Sequence, residues 1–135
     1  MSEDLAMRTR VMLVDDHADF RHLMTAFLDR EADLEVVAQA GSLAEARSQS
    51  AAVRFDVAVL DLGLPDGNGA DLIGDVREFN AGAAVLVLSA SLHPTNLERA
   101  TEAGADEILD KLATPGEIVG TIRRLGTGET PTRRD

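Results

Sequence analysis

Cysteine is absent from these 135 residues, and so are tryptophan and tyrosine. The first absence excludes disulfides, thiolate metal sites and a cysteine nucleophile. The second leaves the core to Val, Leu, Ile, Ala, Met and four Phe. No apolar run approaches the roughly 20 residues that a membrane-spanning helix needs. Met1 to Arg10 carries no apolar stretch of the signal-peptide kind. The expectation is therefore a cytoplasmic chain with no membrane partner. Positive charge is scarce too. The formal net charge is −11, which argues against direct DNA binding, because a phosphate backbone attracts a basic surface. Lysine occurs once, at Lys111, in a chain whose other fixed positive charges are all arginine.

What is present is a set of apolar runs that end in polar groups. Val11-Met12-Leu13-Val14 leads into Asp15-Asp16, and Val57-Ala58-Val59-Leu60 leads into Asp61. Ala84-Val85-Leu86-Val87-Leu88 ends at Ser89, and Ile108-Leu109 is followed by Asp110 and Lys111. Runs without polar alternation read as strands buried on both faces, as in a parallel sheet. Leu34-Glu35-Val36-Val37-Ala38 carries a charge and reads as a strand nearer an edge.

Helical patterns separate the strands. Phe20, Leu23, Met24, Phe27 and Leu28 form one apolar stripe, and Leu72, Ile73, Val76 and Phe79 form another. Ser42-Leu43-Ala44-Glu45 and Thr114-Pro115-Gly116-Glu117 have the spacing of capping boxes. His93-Pro94 marks a helix entry, and Leu97, Ala100 and Ala103 give its inner face. Gly104 fits a helix C-terminus, and Gly126 is placed to stop the last helix. Ile118, Ile122 and Leu125 face inward on that helix.

The result is a βα unit repeated five times, which implies a parallel sheet with helices on both faces. We expect an α/β, doubly wound, flavodoxin-like (βα)5 fold with strand order 2-1-3-4-5. Residues 1–9 read as a flexible leader, 10–126 as the domain, and 127–135 as a polar tail or linker.

That strand order brings the polar endings to one sheet edge. Three carboxylates there suit a divalent cation such as Mg²⁺, which takes oxygen ligands and keeps several waters. Asp16 and Asp61 could bind it directly, Asp15 through a water, and the Gly63 carbonyl could add a ligand. Clustered acids repel, so at least one carboxyl should hold its proton more tightly than usual. An Asp carboxylate can also attack a phosphoryl donor. Asp61 is the best nucleophile because it stands alone at a strand end and opens the turn-rich loop Gly63–Gly69. Lys111 and Ser89 could then stabilise the transferring group. His17 reads as a surface or local hydrogen-bonding residue, Asp66 as a turn residue. Strand alternation points Asp110 away from the site.

Val-Asp-Asp-His at 14–17, Leu-Asp-Leu-Gly-Leu-Pro-Asp-Gly at 60–67, Leu-Ser-Ala at 88–90 and Gly-Ala-Asp…Lys at 104–111 resemble the receiver domain of two-component response regulators. The Asp-Asp-His start and the Ala-Thr-Pro-Gly-Glu-Ile segment are most similar to receivers of the NarL/LuxR type. The resemblance implies Asp61 as phosphoacceptor, Asp15 and Asp16 as the acidic pair, and Ser89, Ala90 and Lys111 at the phosphate. It implies Mg²⁺ as cofactor and a histidine kinase or phosphotransfer protein as donor. The output would be read by a second copy or another partner. Ile108 departs from the pattern, since the family commonly has Tyr or Phe at this switch position. Leu112 stands where many receivers have Pro.

Two other functions compete. A Mg²⁺-dependent phosphatase of the haloacid-dehalogenase type would use an Asp nucleophile, but needs a second Asp two residues later, where this chain has Gly63. A receiver-like interaction module that works without phosphate is favoured by Ile108.

Overall fold

The structure is a computed structural model, and it describes residues 8–128. Five strands and five helices alternate along it: β1 (Thr9–Val14), α1 (Ala18–Asp29), β2 (Leu34–Ala40), α2 (Leu43–Ala52), β3 (Val57–Asp61), α3 (Leu72–Phe79), β4 (Ala84–Ser89), α4 (Pro94–Ala103), β5 (Glu107–Asp110) and α5 (Pro115–Gly126). The strands form one sheet in the order β2-β1-β3-β4-β5. Every pairing is parallel. This is the expected flavodoxin-like order, with β2 at an edge as its charge suggested.

Side chains alternate across β1, β3 and β4 and divide the core into two layers. Val11 and Leu13 of β1, Val57 and Val59 of β3, and Leu86 and Leu88 of β4 pack with Met24 and Leu28 of α1 and Ile118, Ile122 and Leu125 of α5. Met12, Val14, Ala58, Leu60, Val85 and Val87 pack on the other side with Leu43 and Ala46 of α2, Leu72, Ile73 and Val76 of α3, and Ala100 of α4. The two sets never mix, because a strand residue cannot reach both faces.

Helix ends follow local chemistry. Thr114 and Glu117 form a complete capping box, with Pro115 opening α5. At α2 the Ser42 hydroxyl accepts the Glu45 N–H, but the Glu45 carboxylate reaches one residue further than expected, to Gly41 N at 2.6 Å. Asp66 adds an unexpected second cap, since its two oxygens accept the Leu43 and Ala44 N–H groups at 2.8 and 3.1 Å. His93 Nδ1 accepts the Thr95 N–H ahead of Pro94. Gly104 closes α4 with φ of 106°, a left-handed conformation that suits glycine.

Several expectations are corrected. Thr9, placed in the leader, belongs to β1, because Thr9 N donates to Asp33 O and the ladder to β2 starts at that residue. Residues 1–7 of the leader and 129–135 of the tail lie outside the described residues. Leu23 and Phe79 are about half exposed despite their places in the apolar stripes, and Ala103 is exposed on α4. The buried arcs of α1 and α3 are narrower than their apolar stripes. α5 ends at Gly126 as expected, with Thr127 as its cap. The small size of Gly126 also allows a close approach to Thr9, whose side chain would lie 2.6 Å from an added Cβ.

Candidate functional site

Four strand ends meet at the carboxyl edge of the sheet. β1 and β3 are neighbours there, and β4 and β5 follow. Asp15 continues the β1 ladder through a bond from its N–H to Ala40 O, and Arg21 Nη1 holds its carbonyl. Asp61 is the last residue of the central strand β3 and is paired with Leu88. Lys111 follows β5, and its N–H donates to Ser89 O at 2.9 Å. The side chains of Asp15 and Asp61 are both almost fully buried.

Alternation decides which of these groups converge. Asp15 and Asp61 follow Leu13 and Val59 in parity, and Lys111 follows Leu109, so all three project on the α1/α5 side. Lys111 Nζ lies 2.7 Å from Asp15 Oδ2 and 3.2 Å from Asp61 Oδ2. Its stem crosses Phe20 of α1, with the ammonium 4.6 Å from the ring centre. Asp110 has the opposite parity, as expected, and its Oδ1 accepts the Leu112 N–H. Leu112 itself is 90% exposed.

Asp16 is more open than Asp15 and completes the acid group. His17 joins it: Nδ1 lies 3.2 Å from Asp15 Oδ1, 3.3 Å from Asp16 Oδ1 and 3.4 Å from Lys111 Nζ. Asp15, Asp16, His17 and Asp61 each place one donor atom within 4.8 Å of the others. One ammonium thus serves three carboxylates. Burial pushes the Asp61 carboxyl above the ordinary carboxylate range, Lys111 opposes the rise, and Asp15 adds to it. The expected rise is present, but loss of water contributes more to it than repulsion among the acids does. Burial would lower the Lys111 ammonium, yet the hydrogen bond it donates to Asp15 and the charges of both acids hold it above its usual value.

The loop after Asp61 is folded tightly back onto it. Gly63 N donates to Asp61 Oδ1 at 3.3 Å, while Gly69 N donates to Leu62 O. A Cβ on Gly69 would sit 2.1 Å from Asp61 O, so only glycine fits this approach. Gly63–Leu64 and Gly67–Asn68 form a small antiparallel ladder that closes the loop.

Ser89 and Ile108 lie elsewhere. Ser89 shares the parity of Val87, and Ile108 packs on the same apolar layer, so both belong to the α2–α4 side. The buried Ser89 hydroxyl donates to Ser91 O at 2.8 Å and accepts the Ser91 N–H at 3.2 Å. It is turned into its own loop, which begins with the exposed Ala90. Sequence reasoning undervalued His17 and saw Phe20 only as a core residue. The signal for His17 was its position directly after the acid pair.

Comparison with known proteins adds the family. Residues 11–123 match the response regulator receiver domain, and the chain belongs to that family. It is 36% identical to the DNA-binding transcriptional activator DevR/DosR of Mycobacterium tuberculosis over 90% of this chain and 56% of that protein. It is 34% identical to the transcriptional regulatory protein UhpA of Salmonella typhimurium over 87% of this chain and 59% of that protein. The chain therefore spans little more than half the length of these relatives. The solved signal receiver domain of the response regulator NarL from Mycobacterium tuberculosis superposes with a TM-score of 0.83 at 32% identity, covering 90% of this chain and 98% of that one. The expected receiver fold and NarL/LuxR-type relationship are thus borne out. No helix among the described residues is long and apolar enough to cross a membrane.

Proposed function

We propose that this chain is a phosphorylation-dependent signalling receiver that takes a phosphoryl group on Asp61. The observation that carries the reading is the bridge of Lys111 Nζ between Asp15 and Asp61 at the end of the central strand. The donor is the phosphohistidine of a histidine kinase or of a phosphotransfer protein. The Asp61 carboxylate attacks phosphorus, the P–N bond breaks, and its electron pair passes to the departing imidazole nitrogen. Asp15, Asp16, Asp61 and the Gly63 carbonyl would hold Mg²⁺, since the three carboxylates lie in one group of possible metal donors and the ion prefers oxygen ligands. When bound, that ion neutralises charge on the transferring group. Lys111 supplies a second positive charge, while Ser89 Oγ and the backbone at Ala90 receive phosphate oxygens once the hydroxyl leaves Ser91.

The chain acts on no separate substrate in this reading, and its site of action is the cytoplasm. Output runs through Ile108 and the adjoining α4, β5 and α5 surface to a second copy or another partner. The test is incubation with Mg²⁺ and acetyl phosphate, read by intact mass. One added phosphoryl group is expected for the wild type and none for Asp61→Asn. An unmodified wild type, or a modified variant, overturns the reading.

A second reading, an interaction module that works without phosphate, draws on Ile108. It is half-buried against the apolar layer with Val87 and offers no ring to change its exposure. Partner affinity equal for wild type and Asp61→Asn would favour that reading.

A further inference from the structure

We propose that His17 is a nitrogen donor to the cation pocket and sets its preference among divalent metals. The inference rests on the reading of this pocket as the cation site beside Asp61, but it concerns a residue that this reading does not use.

Three observations support it. First, the ring is aimed inward: Nδ1 is within 3.2–3.4 Å of Asp15 Oδ1, Asp16 Oδ1 and Lys111 Nζ, although the side chain is 69% exposed. An exposed imidazole with no function in the pocket could equally turn its nitrogens to water. Second, the backbone holds it there. His17 N donates to Asp15 Oδ1 at 2.8 Å, so the residue is anchored to a carboxylate of the pocket. It also stands as the N-cap of α1 without using its side chain for capping. Third, a ring nitrogen of His17 lies with oxygens of Asp15, Asp16 and Asp61 inside one 4.8 Å group. Donors at about 2.0–2.2 Å from a cation lie no more than about 4.4 Å apart. A few tenths of an ångström of closure would bring all four to one ion.

The chemistry of the donor set then matters. Carboxylate, carbonyl and water suit Mg²⁺, whereas imidazole favours transition metals. Three acids alone make an oxygen pocket with no special claim on such metals beyond their general affinity order. Adding Nδ1 makes it a mixed nitrogen and oxygen pocket, which binds Ni²⁺ or Mn²⁺ more tightly relative to Mg²⁺. The ring also lies against Lys111, so an ion held by His17 would sit close to the ammonium and to Asp61.

The test uses the full chain with the metals alone. Mg²⁺ and Ni²⁺ are titrated calorimetrically into wild type, His17→Asn and His22→Asn, the last controlling for another exposed histidine. The ratio of Ni²⁺ to Mg²⁺ affinity should fall on the order of tenfold in His17→Asn and stay unchanged in His22→Asn. Mn²⁺ bound to wild type should show nitrogen modulation in pulsed electron paramagnetic resonance, and His17→Asn should lose it. An unchanged ratio with persistent modulation in His17→Asn, or no modulation in wild type, overturns the proposal. Circular dichroism of His17→Asn checks that it folds. The phosphoryl test on Asp61 is separate, so nitrogen modulation in a wild type that takes no phosphoryl group would sustain this inference while the functional reading fell.

Discussion

Two clusters of buried charge flank β5, and they are built on opposite plans. Before the strand, Arg77 of α3 meets Asp106: Nη2 bonds Asp106 Oδ2 at 2.5 Å, Nη1 the Gly104 carbonyl and Nε the Ala83 carbonyl. Asp106 Oδ2 also accepts the Val85 N–H. The guanidinium fork fits the acceptors around it, a carboxylate and two carbonyls. After the strand, Lys111 faces Asp15 and Asp61, with Asp16 close by. Here one compact ammonium serves three acids, and Asp61 resists ionisation. The first cluster closes a corner of the fold. The second leaves negative charge that only a further positive group can balance.

The largest effect should come from breaking the closed cluster. Arg77→Ala removes the guanidinium bonded to the buried Asp106 and should cost about 3 kcal/mol in urea unfolding, with acetyl phosphate labelling of Asp61 retained wherever the variant is folded. A loss below about 1 kcal/mol would remove the contrast between the two clusters. The open cluster should respond next, and in the other direction. Mg²⁺ at a hundred times its dissociation constant should stabilise the wild type by about 2.7 kcal/mol. Thermal melts of Asp16→Ala should show that gain abolished.

A smaller gain should follow removal of the Asp61 charge. Asp61 binds its proton more tightly when folded than its ordinary value of 3.8. The stability it contributes is therefore complete below that value and is lost as pH rises through the folded one. Without metal, Asp61→Asn should become increasingly more stable than wild type as pH rises from about 4, then hold a constant lead. Parallel stability curves across this range would show that burial of Asp61 does not disfavour its charge. The smallest effect sets the baseline. Arg99 and Asp71 are paired at 3.2 Å but half exposed, and Arg99→Ala should change stability by less than about 0.5 kcal/mol.

The open cluster was legible in the sequence and the closed one was not, for a physical reason. Asp15, Asp61 and Lys111 each follow an apolar run, so strand order alone carries them to one edge. Arg77 and Asp106 lie on a helix and in a turn, 29 residues apart, and no periodicity links them. The same limit hid Asp66, which caps α2 from a loop 23 residues on. It also concealed the work of Phe20 under Lys111. Leu23 and Phe79 misled because an apolar residue on a helix is compatible with burial without requiring it. The close packing of Gly126 on Thr9 was hidden because the two are far apart in sequence.

The two-layer core has one further consequence. Asp61 and Lys111 stand on the α1/α5 side of the sheet, and Ser89 and Ile108 on the other. The sheet is thus a partition one backbone thick between the nucleophile and the residues nearest α4. A partner that grips only the α2–α4 side could not touch Asp61 through it. Whatever happens at that carboxylate can be learned there only around the rim, where Lys111 N–H is bonded to Ser89 O and the Ser89 hydroxyl turns toward Ser91. That rim is where mutations should separate the making of a mark from its being read.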